Sequence, residues 1–274
     1  MTPLEFLAVV LPSPNNGWYC TAELTTKKKE HNFVEHLEEL SATVAKWGDK
    51  KDIYFALSTF ENKGKRTAEN ARFIRSLFID MDGYETKKAA AMSLNDFMVK
   101  TGLDLLGTPY ILDSGGGLHC YWPFTKDVAV AEWKPVAENF KRLCRQEQMS
   151  IDMTVTADSA RVLRFPGTYN NKAKYATPRP VRILAEGDTF DFEDLAQHIE
   201  SQLRSMPMLP RQQSTTLALP GQRPDAPHTP TTVKLFENSV TLFKNIYKKT
   251  RDGTGCEQLR HYAENATDDG MEPL

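Results

Sequence analysis

Two aspartates flank one methionine in Leu77-Phe78-Ile79-Asp80-Met81-Asp82-Gly83. Leu77, Phe78 and Ile79 predict a short buried strand, with Asp80 and Asp82 at or just past its end. Residues two apart on a strand point to the same face. Two carboxylates side by side repel, and burying them unpaired is costly. A divalent cation with oxygen ligands, Mg²⁺ or Mn²⁺, relieves both problems. Metal sites built on paired carboxylates often handle phosphates. The competing reading is an ordinary polar turn, Asp-Met-Asp-Gly, closing a strand.

A second group is Asp113-Ser114-Gly115-Gly116-Gly117-Leu118-His119-Cys120-Tyr121-Trp122. Glycines at 115, 116 and 117 carry no side chains, so backbone N–H groups can approach an anion. Ser114 adds a hydroxyl, and His119 can donate to a phosphate oxygen. The plainer alternative is a glycine-rich hairpin with His119 half-buried on the sheet. No Gly-Lys-Ser/Thr follows, which excludes a Walker loop.

A third group runs from Ile151-Asp152 through Asp158 to Arg161-Val162-Leu163-Arg164-Phe165-Pro166-Gly167-Thr168-Tyr169-Asn170. Asp152 follows an apolar residue and is a candidate third ligand; Asp158 follows one too. Arg161 and Arg164 suit bidentate contact with phosphate. Their alternative is as surface arginines paired with Asp152 and Asp158, which contributes little.

The elements that must position these groups follow from periodicity. Residues 4–11 and 17–22 read as strands around a Pro12–Asn16 turn, and residues 30–47 as one amphipathic helix. Strands are expected over 53–59, 109–113, 118–124, 161–165 and 181–185. Asn62–Arg66 is a basic turn, and Thr67 with Asn70 opens a short helix. Helices are expected over 93–99, 130–147 and 192–203, with Pro135 better suited to a first turn than to an interior. From Pro207 to Thr232 the composition turns to Pro, Gln, Ser and Thr, which predicts a flexible linker. Val233, Phe236, Val240, Phe243 and Tyr247 then return at helical spacing, and a second helix is expected from about Gly255. The expected domains are 1–205, a linker over 206–232, and a helical module over 233–274 that is truncated or only just complete.

Bulk properties narrow the function classes. Net charge is −2, from 34 basic against 36 acidic residues, so any nucleic-acid footprint must be local. Cys20, Cys120, Cys144 and Cys256 form no Cys-x-x-Cys pair, which excludes zinc-ribbon and thioredoxin motifs and fits a reducing cytoplasm. No apolar run approaches the roughly 20 residues of a membrane span.

Taken in order, the apolar strand into Asp-x-Asp, the Ser-Gly-Gly-Gly-x-His turn, the apolar-Asp pair and the Arg-x-Leu-Arg-x-Pro-Gly-Thr-x-Asn run resemble the archaeo-eukaryotic primase superfamily. The nearest likeness is to the primase-polymerases of phages and plasmids, and it covers about residues 50–185. The resemblance implies an α/β catalytic domain with an RRM-like antiparallel sheet core, followed by a small helical module. It implies a DNA primase or polymerase that works by template-directed, two-metal nucleotidyl transfer, with Mg²⁺ or Mn²⁺ held by Asp80, Asp82 and Asp152, and Asp158 as the alternative to Asp152. Ser114, Gly115, Gly116, His119, Arg161 and Arg164 would bind the nucleotide. The implied partners are a single-stranded DNA template, a primer, nucleoside triphosphates and a helicase beyond residue 274. Lys244, Lys248, Lys249 and Arg251 are candidate template contacts in the helical module, or simply its solvated face. Two rivals remain. One is a haloacid-dehalogenase-type phosphatase with Asp80 as nucleophile, although Tyr84 stands where Thr or Val is usual. The other is a non-catalytic single-strand-binding replication protein, which the paired acids disfavour.

Overall fold

The computed structural model describes residues 1–25, 29–48 and 50–205. The expected linker and helical module lie outside the described residues. In chain order the elements are α1 (Pro3–Val10), β1 (Tyr19–Glu23), β2 (Glu30–Val34), α2 (Leu37–Trp47), β3 (Ile53–Ala56), β4 (Ser58–Phe60) and β5 (Ala71–Met81). They continue as α3 (Lys87–Thr101), β6 (Tyr110–Asp113), β7 (Leu118–Ala129), α4 (Val130–Gln146), β8 (Val162–Arg164), β9 (Tyr169–Asn170), β10 (Arg179–Pro180), β11 (Arg182–Ala185) and α5 (Phe192–Ser205).

The α/β expectation with antiparallel sheets holds. One sheet has the order β11-β6-β7-β5-β4, another β2-β1-β3-β8, and β9 pairs with β10. Every strand pairing in these sheets is antiparallel. The alternation of side chains along β7 divides the two faces of its sheet. Tyr121 meets Phe6 of α1 edge-on at 5.2 Å, and Phe6 also meets Phe55 of β3, so α1 bridges the two sheets. Trp122, next along, meets Phe140 of α4 at 4.9 Å. In α4, Trp133, Ala137, Phe140 and Cys144 are buried three or four apart, the stripe a helix lays on a sheet. Each large apolar side chain buried in this way stabilises the fold by roughly 2 kcal/mol.

Three expectations are corrected. The strand expected over 4–11 is helix α1. Thr2 accepts from the Glu5 amide, the Glu5 carboxylate accepts from the Thr2 amide, and Pro3 takes the first helical position. A short apolar run does not separate the two periods, so the capping box ahead of it decides. The single helix expected over 30–47 is strand β2 followed by α2. The Glu39 carboxylate accepts from the amides of Glu35 and His36, which ends the extended segment and starts the helix at Leu37. Finally, Pro135 lies inside α4, because β7 runs straight into the helix at Val130. Lacking an N–H, Pro135 cannot donate to the Ala131 carbonyl.

Candidate active site

The register of β5 against β7 sets Asp80 directly opposite His119 and Met81 opposite Leu118. His119 Nε2 stands 3.6 Å from Asp80 Oδ1, beyond hydrogen-bond reach. That oxygen is buried with no hydrogen-bond partner among the described residues. Asp82 follows β5 at once and is exposed. The Asp152 amide donates to the Asp80 carbonyl at 2.9 Å, which fastens the loop after α4 to the end of β5. Burial, then the charges of Asp82 and Asp152, push the Asp80 carboxyl up to about 7.

A buried, orphaned carboxylate oxygen with two acidic neighbours is a donor set that could hold a divalent cation. Among the described residues, no three His, Cys, Asp or Glu side chains are gathered tightly enough to hold an ion as they stand. Mg²⁺ commonly takes one or two carboxylates and completes its shell with water and substrate phosphates. Asp80 and Asp82 fit that habit.

The raised Asp80 value has a consequence for stability. The folded chain keeps the proton between 3.8 and about 7, where the unfolded chain has lost it. The contribution of neutral Asp80 is therefore complete below 3.8 and is lost as pH rises through about 7. In chelator, Asp80→Asn should melt above wild type at pH 8, with a gap that shrinks toward pH 5. Melting curves of both proteins across that range check this. A gap independent of pH would refute it.

Asp152 and Asp158 both border the same cleft, of about 390 Å³. Burial works to raise the Asp152 carboxyl, but hydrogen bonds from the Thr154 hydroxyl and amide, with Arg161 beside it, outweigh burial and hold it below its ordinary range. Arg161 Nη2 lies 3.3 Å from Asp152 Oδ2. Asp158 Oδ1 accepts from the Ala160 amide at 2.9 Å, closing the turn ahead of β8. Of the two, only Asp152 contributes to the Asp80 shift.

His119 is 3% exposed. Burial first, then the charges of Arg164, Lys172 and Arg161, push its imidazole down to about 3, so the ring is neutral. Tyr121 hydroxyl stands 3.4 Å from Nδ1.

Ser114, Gly115 and Gly116 form the turn between β6 and β7. Ser114 Oγ accepts from the Gly116 and Gly117 amides, and Asp113 Oδ1 accepts from the Gly115 amide. These turn amides thus have partners within the turn. The glycines serve close packing as well. A Cβ on Gly116 would fall 2.5 Å from the Tyr175 hydroxyl, and one on Gly117 would overlap the Met81 carbonyl. Ser114 and Gly116 border the cleft.

The wall facing the acids is cationic and comes from the other sheet and the loop after β9. Arg164 on β8 is 3% exposed; its Nη1 donates to Asp52 Oδ1 at 2.6 Å, and its guanidinium covers the Tyr54 ring at 4.7 Å. Lys172 and Tyr175 border the same cleft. The cleft thus gathers Asp80, Asp82, Asp152, Asp158, Ser114, Gly116, His119, Arg161 and Arg164. Lys244, Lys248, Lys249 and Arg251 lie outside the described residues. The motifs of the sequence do not include Tyr54, Lys172 or Tyr175. Lys172 was within reach, two residues past the Asn170 that ends the third group. Tyr54 carries no local signal, since an aromatic on a strand is ordinary core.

No family model matches the chain. A curated relative from Clostridium perfringens, named "Replication protein", is 32% identical over 170 residues. The match takes in 59% of this chain and 39% of the relative, so the chain spans well under half of that relative's length. Among solved structures, the AEP domain of the cyanophage S-2L primase-polymerase is similar with a TM-score of 0.52 at 18% identity, over 72% of this chain and 95% of that domain. The primase RepB′ structure scores 0.47 at 14% identity, over 74% of this chain and 64% of that one. With an antiparallel sheet that brings Asp80 against His119 and a second sheet closing the cleft, the chain has the fold of an archaeo-eukaryotic primase-type catalytic domain.

Proposed function

We propose that residues 1–205 catalyse template-directed nucleotidyl transfer in replication, as a primase-polymerase. The observation that carries this reading is one cleft with an acid cluster, Asp80, Asp82 and Asp152, set against His119, Arg164 and Lys172. Acids that hold a cation, beside donors that hold phosphates, are the two halves of a polymerase site. Mg²⁺ or Mn²⁺ on the acids would lower the pKa of the attacking 3′-hydroxyl and stabilise charge on the α-phosphate. The protein's own groups do the rest. Neutral His119 donates a hydrogen bond to a phosphate oxygen without adding a charge near Asp80. Arg164 and Lys172 offset the triphosphate's charge, and Arg161 fixes where the Asp152 carboxylate stands. The names of the curated relative and of the cyanophage domain agree with this role. The proposed partners are a single-stranded DNA template, a primer and nucleoside triphosphates, with a helicase acting alongside.

The test is to incubate the protein with single-stranded DNA, labelled nucleotides and Mn²⁺ or Mg²⁺, with and without a primer. Metal-dependent extension of the primer is expected. No incorporation under either condition overturns the reading. In the same assay Asp152→Ala should lose more turnover than Asp158→Ala, because Asp152 is tied to the Asp80 strand end while Asp158 closes a turn. The reverse order would make Asp158 the third carboxylate.

A further inference from the structure

Asp52 is a buried acid, and it is not among the residues that line the cleft. Its own backbone is pinned to the end of β1: the Asp52 amide donates to Thr25 Oγ1 at 2.6 Å, and its carbonyl accepts from the Leu24 amide at 3.0 Å. From that fixed base Oδ1 accepts twice. One donor is Arg164 Nη1 at 2.6 Å and the other is the Asn171 amide at 2.8 Å. One carboxylate oxygen thereby holds both carriers of the cationic wall, strand β8 with Arg164 and the loop that presents Lys172 next to Asn171. Neighbouring Asn170 ties the same loop to the glycine turn, with Nδ2 donating to the Ser114 carbonyl at 2.9 Å.

The guanidinium that Asp52 holds is incompletely used. Arg164 Nη2 is buried and has no hydrogen-bond partner among the described residues, although Arg164 borders the cleft. A buried guanidinium nitrogen left unmatched is costly and is rare unless something binds there. Its planar fork suits two anionic oxygens at once, one on each side. Nη1 is taken by Asp52 and also reaches the Tyr169 carbonyl at 3.5 Å, and the unmatched Nη2 calls for an oxygen that none of the described residues supplies.

We propose that Asp52 is the positioning residue for nucleotide binding: it orients Arg164 and the Lys172 loop together toward the phosphates of a nucleoside triphosphate. This rests on the proposed function above and assigns Asp52 a share in it. The carboxylate touches neither substrate nor cation; it acts through the two groups it holds. Tyr54, two residues along β3, supports the same guanidinium from its ring face.

The test compares wild type, Asp52→Asn and Asp52→Ala by primer extension, by direct titration of a nucleoside triphosphate, and by binding of single-stranded DNA without nucleotide. Asp52→Ala should raise the nucleotide KM and Kd about tenfold, with kcat and DNA affinity within about twofold of wild type. Asp52→Asn keeps an acceptor oxygen and loses the charge, so its effect should fall between the two. If Asp52→Ala fails to fold, the Asp52→Asn titration decides. Unchanged nucleotide affinity in a folded variant overturns the proposal. So does an equal loss of nucleotide and DNA binding, which would mark a general structural role. Wild type that incorporates no nucleotide but binds the triphosphate in an Asp52-dependent way would refute the polymerase reading while sustaining this one.

Discussion

Asp80→Asn should reduce nucleotide incorporation by at least about a thousandfold and leave a well-folded protein. Asparagine keeps the size of the side chain, so strand β5 and its pairing with β7 are undisturbed. It removes the negative charge from a cleft acid whose side chain is only 15% exposed. The loss of function should come with higher thermal stability above neutral pH in chelator, since the charge is what burial and its acidic neighbours oppose. Those two signs together separate a functional acid from a structural one. A structural acid loses stability and activity together when neutralised, whereas an acid kept in place for function loses activity and gains stability. Primer extension and thermal melting on the same preparation read both. Incorporation within tenfold of wild type would sink the polymerase reading of the cleft.

Gly117→Ala should cut incorporation by about a hundredfold and destabilise the domain by about 2 kcal/mol. The φ of Gly117 lies outside the left-handed region, so the cost is one of space rather than of backbone strain. A Cβ here would overlap the Met81 carbonyl and lie 2.5 Å from Asp82 Oδ1. The carbonyl belongs to strand β5 and cannot swing aside. Relief has to come from parting β5 and β7 at the end where Asp80 faces His119, or from displacing the Asp82 carboxylate. Either movement reaches the acid pair, where shifts of about 1 Å are costly to catalysis. By contrast, a Cβ on Gly64 would meet nothing within 4 Å, so a substitution there faces only the positive φ. Incorporation by Gly117→Ala equal to wild type would show that the turn can yield without moving the acids.

How much of the site was legible in the sequence depended on how far apart its parts lie along the chain. Asp80 and Asp82 are two residues apart at a strand end, so their common placement is a local property of the backbone and could be read directly. The same holds for the apolar stripe of α4 and for the glycines of the β6–β7 turn. The Thr2-Pro3-Leu4-Glu5 capping box is equally local, but the strand expected over 4–11 rests on the apolar run alone, which fits both periods. The Arg161–Asp152 pair, nine residues apart, was also within reach, as the plainer alternative to phosphate contact.

What only the tertiary structure decided is register and docking. His119 faces Asp80 because β5 and β7 pair in one alignment, and a one-residue slip would have turned it to the opposite face. Arg164 and Asp52 are 112 residues apart, and no spacing rule connects them. They meet because β3 and β8 are neighbours in the second sheet, an outcome set by which apolar faces bury best against α1 and the first sheet. The chemistry-bearing residue types were thus written locally, as motifs whose spacing the backbone enforces. Which of them oppose one another, and which buried acid holds the cationic wall in place, arose from long-range packing that no window along the chain contains.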